Sequence, residues 1–370
     1  MQRSFMKTLS IVSGKNIDTL RSRASLAEQA GCLTGEQLDI IYKEKWFNIY
    51  VPQCFGGLGL ALPEAIQLLE RLAWIDGSIG WTVTLGSGAN LFIAYLHSNI
   101  VSLFFNDPEV CLAGSGANTG IAKKTKGGYI INGKWRYATG SLHATAFTVN
   151  CVLQDDDTAP ADNTASFIFK AGEVQINRDW NGMGMRATGS HSFSVTDLFV
   201  PDERRFFIDA AQAILPDPVF YFPFIPFAEV TLAANIAGMA VHFTDECRRI
   251  FEDKIRNKTL PVEQSSEMLE LLGRSISIIE KNRDVFYDAL CMLWNSGKNE
   301  RNWDISLINR LSFTSKKMVR ELLGIVSQLY PYCGMEAADT RAVINRIWRD
   351  IHTASQHQLI TFKRPISAHL

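Results

Sequence analysis

The hydrophobic spacing changes twice along this chain, and those two changes constrain its fold more than any single motif. Up to about residue 109 the apolar residues recur at helical intervals. From about Val110 to Val200 they alternate, and from about Pro226 onward the helical interval returns. Short strands held between two helical parts predict a mainly α chain with a β insert. The expected units are an N-terminal helical domain (1–109), a small middle β-barrel or sandwich (110–205) and a C-terminal four-helix bundle (206–370).

The local signals agree with this division. Ile17–Ala30 is amphipathic and ends at Gly31, a suitable C-cap, and Thr34 with Gln37 forms a capping box for a helix over 35–45. Val51–Leu60 reads as a loop. Leu62-Pro-Glu64 opens a helix to about Trp74, and another is expected from Trp81 to about Leu96. In the β part, Cys111–Gly120 is expected as a strand entering a glycine- and hydroxyl-rich loop. It lacks a GxGxxG followed by a helix, so a Rossmann site is not supported. In Ile131-Asn-Gly-Lys-Trp-Arg-Tyr-Ala-Thr-Gly140, Asn132-Gly133 predicts a hairpin turn and the second strand ends at Thr139, followed by Ser141 and His143. Asp155–Asn163 reads as a polar loop and Asp179–Ser190 as a second glycine-rich loop. Four long helices are expected over 228–257, 262–296, 305–329 and 340–361.

Composition narrows the function. Of 370 residues 46% are apolar and 20% charged, which suits a large folded core. A net charge of −1 disfavours nucleic acid as the main partner. No apolar run is expected to span a bilayer, and the N-terminus lacks a convincing signal-peptide core. The seven cysteines are scattered without CxxC, which favours free thiols in a reducing cytoplasm over a metal cluster.

Five motifs in order give the chain a resemblance to the acyl-CoA dehydrogenase superfamily over about residues 20–362. Val51-Pro-Gln-Cys-Phe-Gly-Gly-Leu-Gly59 is similar to P-x-x-x-G-G-x-G, and Tyr129-Ile-Ile-Asn-Gly-Lys-Trp135 to Y-x-x-x-G-x-K/R/W. Tyr137-Ala-Thr-Gly140 falls at W-I-T/S-N/G. Gly182–Ser190 with Val195–Pro201 resembles G-x-R-x-T/S … D-V-x-V-P, and Arg349-Asp350 resembles the R-D of the last helix. The resemblance implies a flavin, FAD or FMN, between the β part and the bundle. It places Tyr137, Thr139 and Gly140 at the ring, with the Thr139 hydroxyl or amide at N5 or O4, and Ser115 within a loop along the pyrimidine side. It also implies a homotetramer.

Two departures bear on the reaction. Dehydrogenation needs a carboxylate to take the α-proton, but the position eight residues after Asp350 is Gln358. The alternative position on the first bundle helix is Ala228, beside Glu229. What stands on the last helix is Arg349-Asp-Ile-His-Thr-Ala-Ser-Gln-His357, which resembles the two-component flavin monooxygenases, whose oxygenase takes reduced flavin from a separate reductase. The resemblance makes His357 and Thr139 the catalytic candidates; an imidazole can deprotonate a phenol or hydrogen-bond a peroxide near neutrality. It places Asn90, Arg186, Thr188 and Ser190 near a small-molecule substrate. The second departure is Gln328-Leu-Tyr-Pro-Tyr-Cys-Gly334 in place of Q-x-x-G-G-x-G. It keeps Gln328 and Gly334 as flavin contacts and implies a weak grip on a diffusible flavin. Three readings follow: a monooxygenase component, an acyl-CoA dehydrogenase with Glu229 or another base, and a non-catalytic flavin-binding relative.

Overall fold

The structure, a computed structural model, describes residues 12–155, 160 and 162–361. The first part of the N-terminal stretch and most of the Asp155–Asn163 loop lie outside the described residues. Helices α1 (Gly14–Ala30), α2 (Gly35–Lys43), α3 (Leu62–Ile75), α4 (Gly77–Asn90) and α5 (Ser98–Phe105) come first. Gly31 closes α1 at φ 71°, where a left-handed cap costs glycine little. The Thr34–Gln37 capping box opens α2. Asp76 alone separates α3 from α4 and caps the latter by accepting the Ile79 N–H at 3.1 Å. That cap starts α4 at Gly77, ahead of the expected Trp81, and a 3-10 segment replaces its last turn over Leu91–Tyr95.

Seven strands follow: β1 (Leu112–Thr125), β2 (Gly128–Ala138), β3 (Ala146–Gln154), β4 (Thr164–Lys170), β5 (Gln175–Asn177), β6 (His191–Pro201) and β7 (Arg205–Phe206). Their order is β5-β6-β2-β1-β3-β4-β7. Although β2 and β1 lie between β6 and β3, Phe193 of β6 and Phe147 of β3 bring their ring centroids to 4.6 Å. A flat sheet would hold those strands about 14 Å apart. The sheet therefore wraps around its own aromatic core of Tyr129, Trp135, Phe147, Phe167, Phe169 and Phe193.

Two expectations fail inside the sheet. The β1–β2 turn is at Lys126-Gly127, with Thr125 opposite Gly128, and Asn132-Gly133 lies within β2. The reason is Trp135: a Cβ on Gly133 or Gly120 would fall 2.5 or 2.2 Å from its ring. Asn132 and Gly133 instead make a register shift against β6, and the Asn132 side chain bonds Asp197 in both directions. The expected loop after Cys111 is also strand, since β1 stays paired with β3 through two irregularities around Asn118.

The C-terminal helices are α6 (Phe224–Arg256), α7 (Val262–Gly297), α8 (Ile305–Leu329) and α9 (Val343–Ala354). The fourth is shorter than expected: it stops at Ala354, and a separate turn of helix spans Gln358–Thr361. By length and composition α6 could cross a membrane, contrary to expectation, but 78% of its apolar window is buried inside the protein. It is the central core helix. A Cβ on Gly238 would meet the Glu70 carbonyl of α3 at 2.1 Å, so the run of small residues serves close helix packing. N- and C-terminal helices share one hydrophobic core.

Candidate functional site

The β side of the site is built where β2 ends. Its ladder with β6 breaks between Trp135 and Ala138, and Tyr137 takes φ 65° there. That left-handed backbone is uncommon for a bulky residue. It leaves the Tyr137 ring 59% exposed, edge-on to Trp180 with centroids 6.1 Å apart. Thr139 is buried, and Gly140 follows at φ 77° with its N–H donated to the Thr188 carbonyl at 2.8 Å.

Three residues singled out from sequence meet in one chain of hydroxyls. Thr139 Oγ1 lies 2.9 Å from Ser190 Oγ, which lies 2.7 Å from Thr188 Oγ1, which donates to the Met185 carbonyl at 2.8 Å. Ser141 Oγ donates to the Gly189 carbonyl at 2.7 Å and ties the same two segments together.

The Asp179–Ser190 loop is clamped onto α9. Asp350 Oδ1 accepts the Met185 N–H at 2.5 Å, and Thr353 Oγ1 accepts the Gly184 N–H at 2.9 Å. Arg349 donates to the Met183 carbonyl at 2.8 Å, to Asn345 Oδ1 at 2.7 Å and to the Glu28 carboxylate of α1. A Cβ on Gly184 would lie 2.3 Å from the Arg349 carbonyl, so only glycine permits this approach. The R-D pair is thus a clamp that reaches the hydroxyl chain through the Met185 peptide. Burial, with Asp76 nearby, pushes the Asp350 carboxyl up to about 7.

On the helix side His357 follows the end of α9. Its ring meets Trp81 of α4 edge-on at 6.1 Å. Its Nδ1 accepts the Leu359 N–H at 3.3 Å, which leaves the hydrogen of the neutral ring on Nε2. Burial lowers its pKa below the usual histidine value. His352 is engaged elsewhere: its Nδ1 donates to the Trp348 carbonyl at 2.7 Å and its ring lies against Trp348.

Other candidates are placed apart from the hydroxyl chain. Asn90 is fully buried and committed to structure: it donates to Asn48 Oδ1 at 2.7 Å and the Val110 carbonyl at 3.1 Å, and accepts the Leu112 N–H at 3.0 Å. Arg186 is exposed and shares a cavity of about 230 Å³ with Arg178, Trp180 and His191. Gln328 is exposed on the last turn of α8, and Gly334 is exposed just beyond the turn that follows it. Glu229 is 1% exposed and paired with Lys316 at 2.9 Å inside the bundle. Gln358 is exposed.

The β side suits a flat ring with a polar edge. The β1–β2 ladder stops at Ile121–Asn132, so the upstream half of β1 keeps backbone groups unladdered on that side. Gly116–Thr119 are exposed there, Ser115 is half-buried beside them, and a Cβ on Gly116 would meet nothing within 4 Å. An open aromatic face, a hydroxyl and a strand edge unpaired with β2 suit a flavin ring.

Sequence reasoning missed several residues here. Glu28 gave no signal, since its partner Arg349 is 321 positions away. His143 was noticed only as a neighbour of Gly140. Its imidazole is stacked on Phe47, burial lowers its pKa to about 4, and its Nε2 finds no partner among the described residues.

Comparison with known proteins matches residues 230–362 to the family described as acyl-CoA dehydrogenase, C-terminal domain. Indole-3-acetate monooxygenase of Pseudomonas putida is 23% identical over 92% of this chain and 88% of its own. The flavin-dependent monooxygenase oxygenase subunit HsaA of Mycobacterium tuberculosis is 25% identical over 91% and 88%. Among solved structures, XiaF from Streptomyces in complex with FADH2 and glycerol superposes with a TM-score of 0.84 at 22% identity, covering 97% of this chain and 93% of that one.

Proposed function

This chain belongs to the acyl-CoA dehydrogenase superfamily, and we propose that it is the oxygenase component of a two-component flavin-dependent monooxygenase. It uses reduced FAD or FMN, and dioxygen, on an aromatic or related small substrate. One observation carries the choice over dehydrogenation: the helix side offers a neutral imidazole where a proton-abstracting anion is needed. Gln358 is an exposed amide, and Glu229, the alternative base, is locked to Lys316. Reduced flavin, when bound, supplies the electrons that put one oxygen atom into the substrate and release the other as water.

The residues divide the work. Tyr137, Thr139, Gly140 and Ser115 hold the ring, and Thr188 and Ser190 set the Thr139 hydroxyl. His357 presents a neutral Nε2–H beside Trp81, suited to exchanging a proton with a phenol or an indole near neutral pH. Arg186 sits at the site's outer rim. Asn90 carries no substrate role in this reading.

A separate flavin reductase is the partner, a reading supported by relatives named as an oxygenase subunit or an oxygenase component. We infer a homotetramer, supported by exposed Leu269, Ile278, Val285 and Met292 along α7 and by Phe313 on α8. Gln328 and Gly334 would then meet a neighbouring subunit's flavin. Seven free cysteines support a cytoplasmic setting.

The test is incubation of the protein with chemically reduced FMN or FAD and isotopically labelled dioxygen over a panel of phenols and indoles. Label in a hydroxylated product is expected. Hydrogen peroxide as the sole oxygen product across the panel would sink the reading.

A further inference from the structure

A buried guanidinium without a counter-ion stands where α1, α3, α6 and α9 meet. Arg71 of α3 lies over the ring of Trp74, 3.6 Å from its centroid, and Arg21 of α1 lies 4.0 Å from it. Arg21 is engaged: it donates to the Trp74 and Ile75 carbonyls at the end of α3, at 3.1 and 3.3 Å. Arg346 of α9 is paired with Asp76 at 3.7 Å. Asp245 of α6 accepts the Trp74 indole N–H at 2.8 Å and has Arg248 at 4.0 Å. Arg71 has no such partner. It is 6% exposed, its Nε is sealed without an acceptor, and no hydrogen bond or ion pair reaches its guanidinium among the described residues.

That makes it an exception. Every other buried Asp, Glu, Lys or Arg among the described residues has a hydrogen bond or an ion pair, as Glu70 has with Arg283 and Glu229 with Lys316. An unmet charge is costly, because burial strips its hydration and nothing replaces it. Burial, with the Arg21 charge nearby, lowers the Arg71 pKa to about 10. His242 lies against Trp74 but brings no charge, since burial and the Arg21 and Arg346 charges hold its pKa well down.

Stacking occupies the flat face of the guanidinium and leaves its N–H donors pointing outward in the plane. Two such donors side by side match two oxygens of a carboxylate or a phosphate. Of the three nitrogens only Nε is fully sealed, so the Nη pair keeps a path to solvent. We propose that Arg71 forms an anion site that takes a small oxyanion, a carboxylate or a phosphate, as the counter-charge of this helix junction. The site is independent of the flavin reading.

Thermal unfolding of the whole protein tests this. Sodium phosphate or sodium acetate is exchanged for sodium chloride at constant ionic strength and pH 7. The wild-type midpoint is expected to rise and saturate, by about 3 °C at a 100-fold excess over Kd. Arg71→Met removes the charge and keeps an apolar stem over Trp74. It is expected to show no saturable rise, and to unfold no lower than wild type in chloride. Arg71→Lys keeps the charge without the fork and is expected to need about 10-fold more anion; it serves should Arg71→Met fail to fold. The arm that saturates at the lower concentration identifies the ion as carboxylate or phosphate. Equal responses in wild type and both variants overturn the proposal, as does a wild type with no saturable rise in either arm. A crystal structure of the assembly with an acidic side chain of a second copy on the Arg71 fork overturns it too.

Discussion

The two sides of the site are built on opposite terms. On the β side, Thr139, Ser190, Thr188 and the Met185 carbonyl satisfy one another, and none of them titrates. On the helix side, His357 bonds within its own turn among the described residues and meets Trp81 by a ring edge, while Asp350, on the preceding helix α9, lies buried near Asp76 and Glu28. The contrast teaches a division of labour. The hydroxyl chain is over-determined by bonding, whereas the His357 Nε2 has no bond among the described residues. The clamp of Arg349, Asp350 and Thr353 on the glycine loop ties the last helix to the β side.

Breaking the clamp should therefore have the largest effect. Gly184→Ala forces a Cβ against the α9 backbone. The expected cost is about 3 kcal/mol or more, since the contact is backbone and cannot swing aside. Urea unfolding and reduced-flavin titration should show lower stability and lost binding together. Unchanged stability would mean that the loop and α9 are not locked, and the two sides would be independent. A smaller and more selective effect is expected from His357→Ala. Product formed per oxygen consumed should fall about 100-fold, the usual scale for a lost proton-transfer group. Stability should shift by no more than about 0.5 kcal/mol, and reduced-flavin affinity should hold. A fall in flavin affinity instead would place the imidazole among the positioning groups and erase the contrast.

How much of this was legible in the sequence follows the same contrast. The change of hydrophobic period located the β insert because alternation is a local property, and the Thr34–Gln37 box and the Gly31 cap were readable for the same reason. Thr139, Thr188 and Ser190 could be picked out through motif resemblance, but their union in one hydroxyl chain depends on strand ends about fifty residues apart. Asn132-Gly133 misled because turn propensity is local, while the need for space under Trp135 comes from Gly120 on the neighbouring strand. Asn90 misled for a similar reason: its three bonds join α4 to residues that packing alone brings near. The fourth bundle helix read as continuous because nothing local marks the break at Ser355–His357, which no proline or glycine announces.

The smallest effect sharpens the comparison most, because no group of the hydroxyl chain titrates while Asp350 in the clamp does. An unfolded Asp titrates near 3.9. The Asp350 carboxyl is raised to about 7 in the fold, so the folded state binds the extra proton. Its stabilisation is full below about pH 4 and is lost as pH rises through about 7, at no more than about 1.4 kcal/mol per pH unit. His143, His242 and His357 have lowered values and act in the opposite sense, costing stability as pH falls below their unfolded value. Asp350→Asn keeps an oxygen for the Met185 N–H and leaves those histidines in place. The difference between variant and wild-type unfolding curves therefore isolates one carboxyl. That difference should move in the variant's favour from pH 5 to pH 8, while the variant's affinity for reduced flavin stays as in wild type. A flat difference would mean that Asp350 is ionised throughout. A lost affinity for reduced flavin would mean that its charge, and not its geometry, holds the Met185 peptide, and the β side would then titrate through the clamp after all.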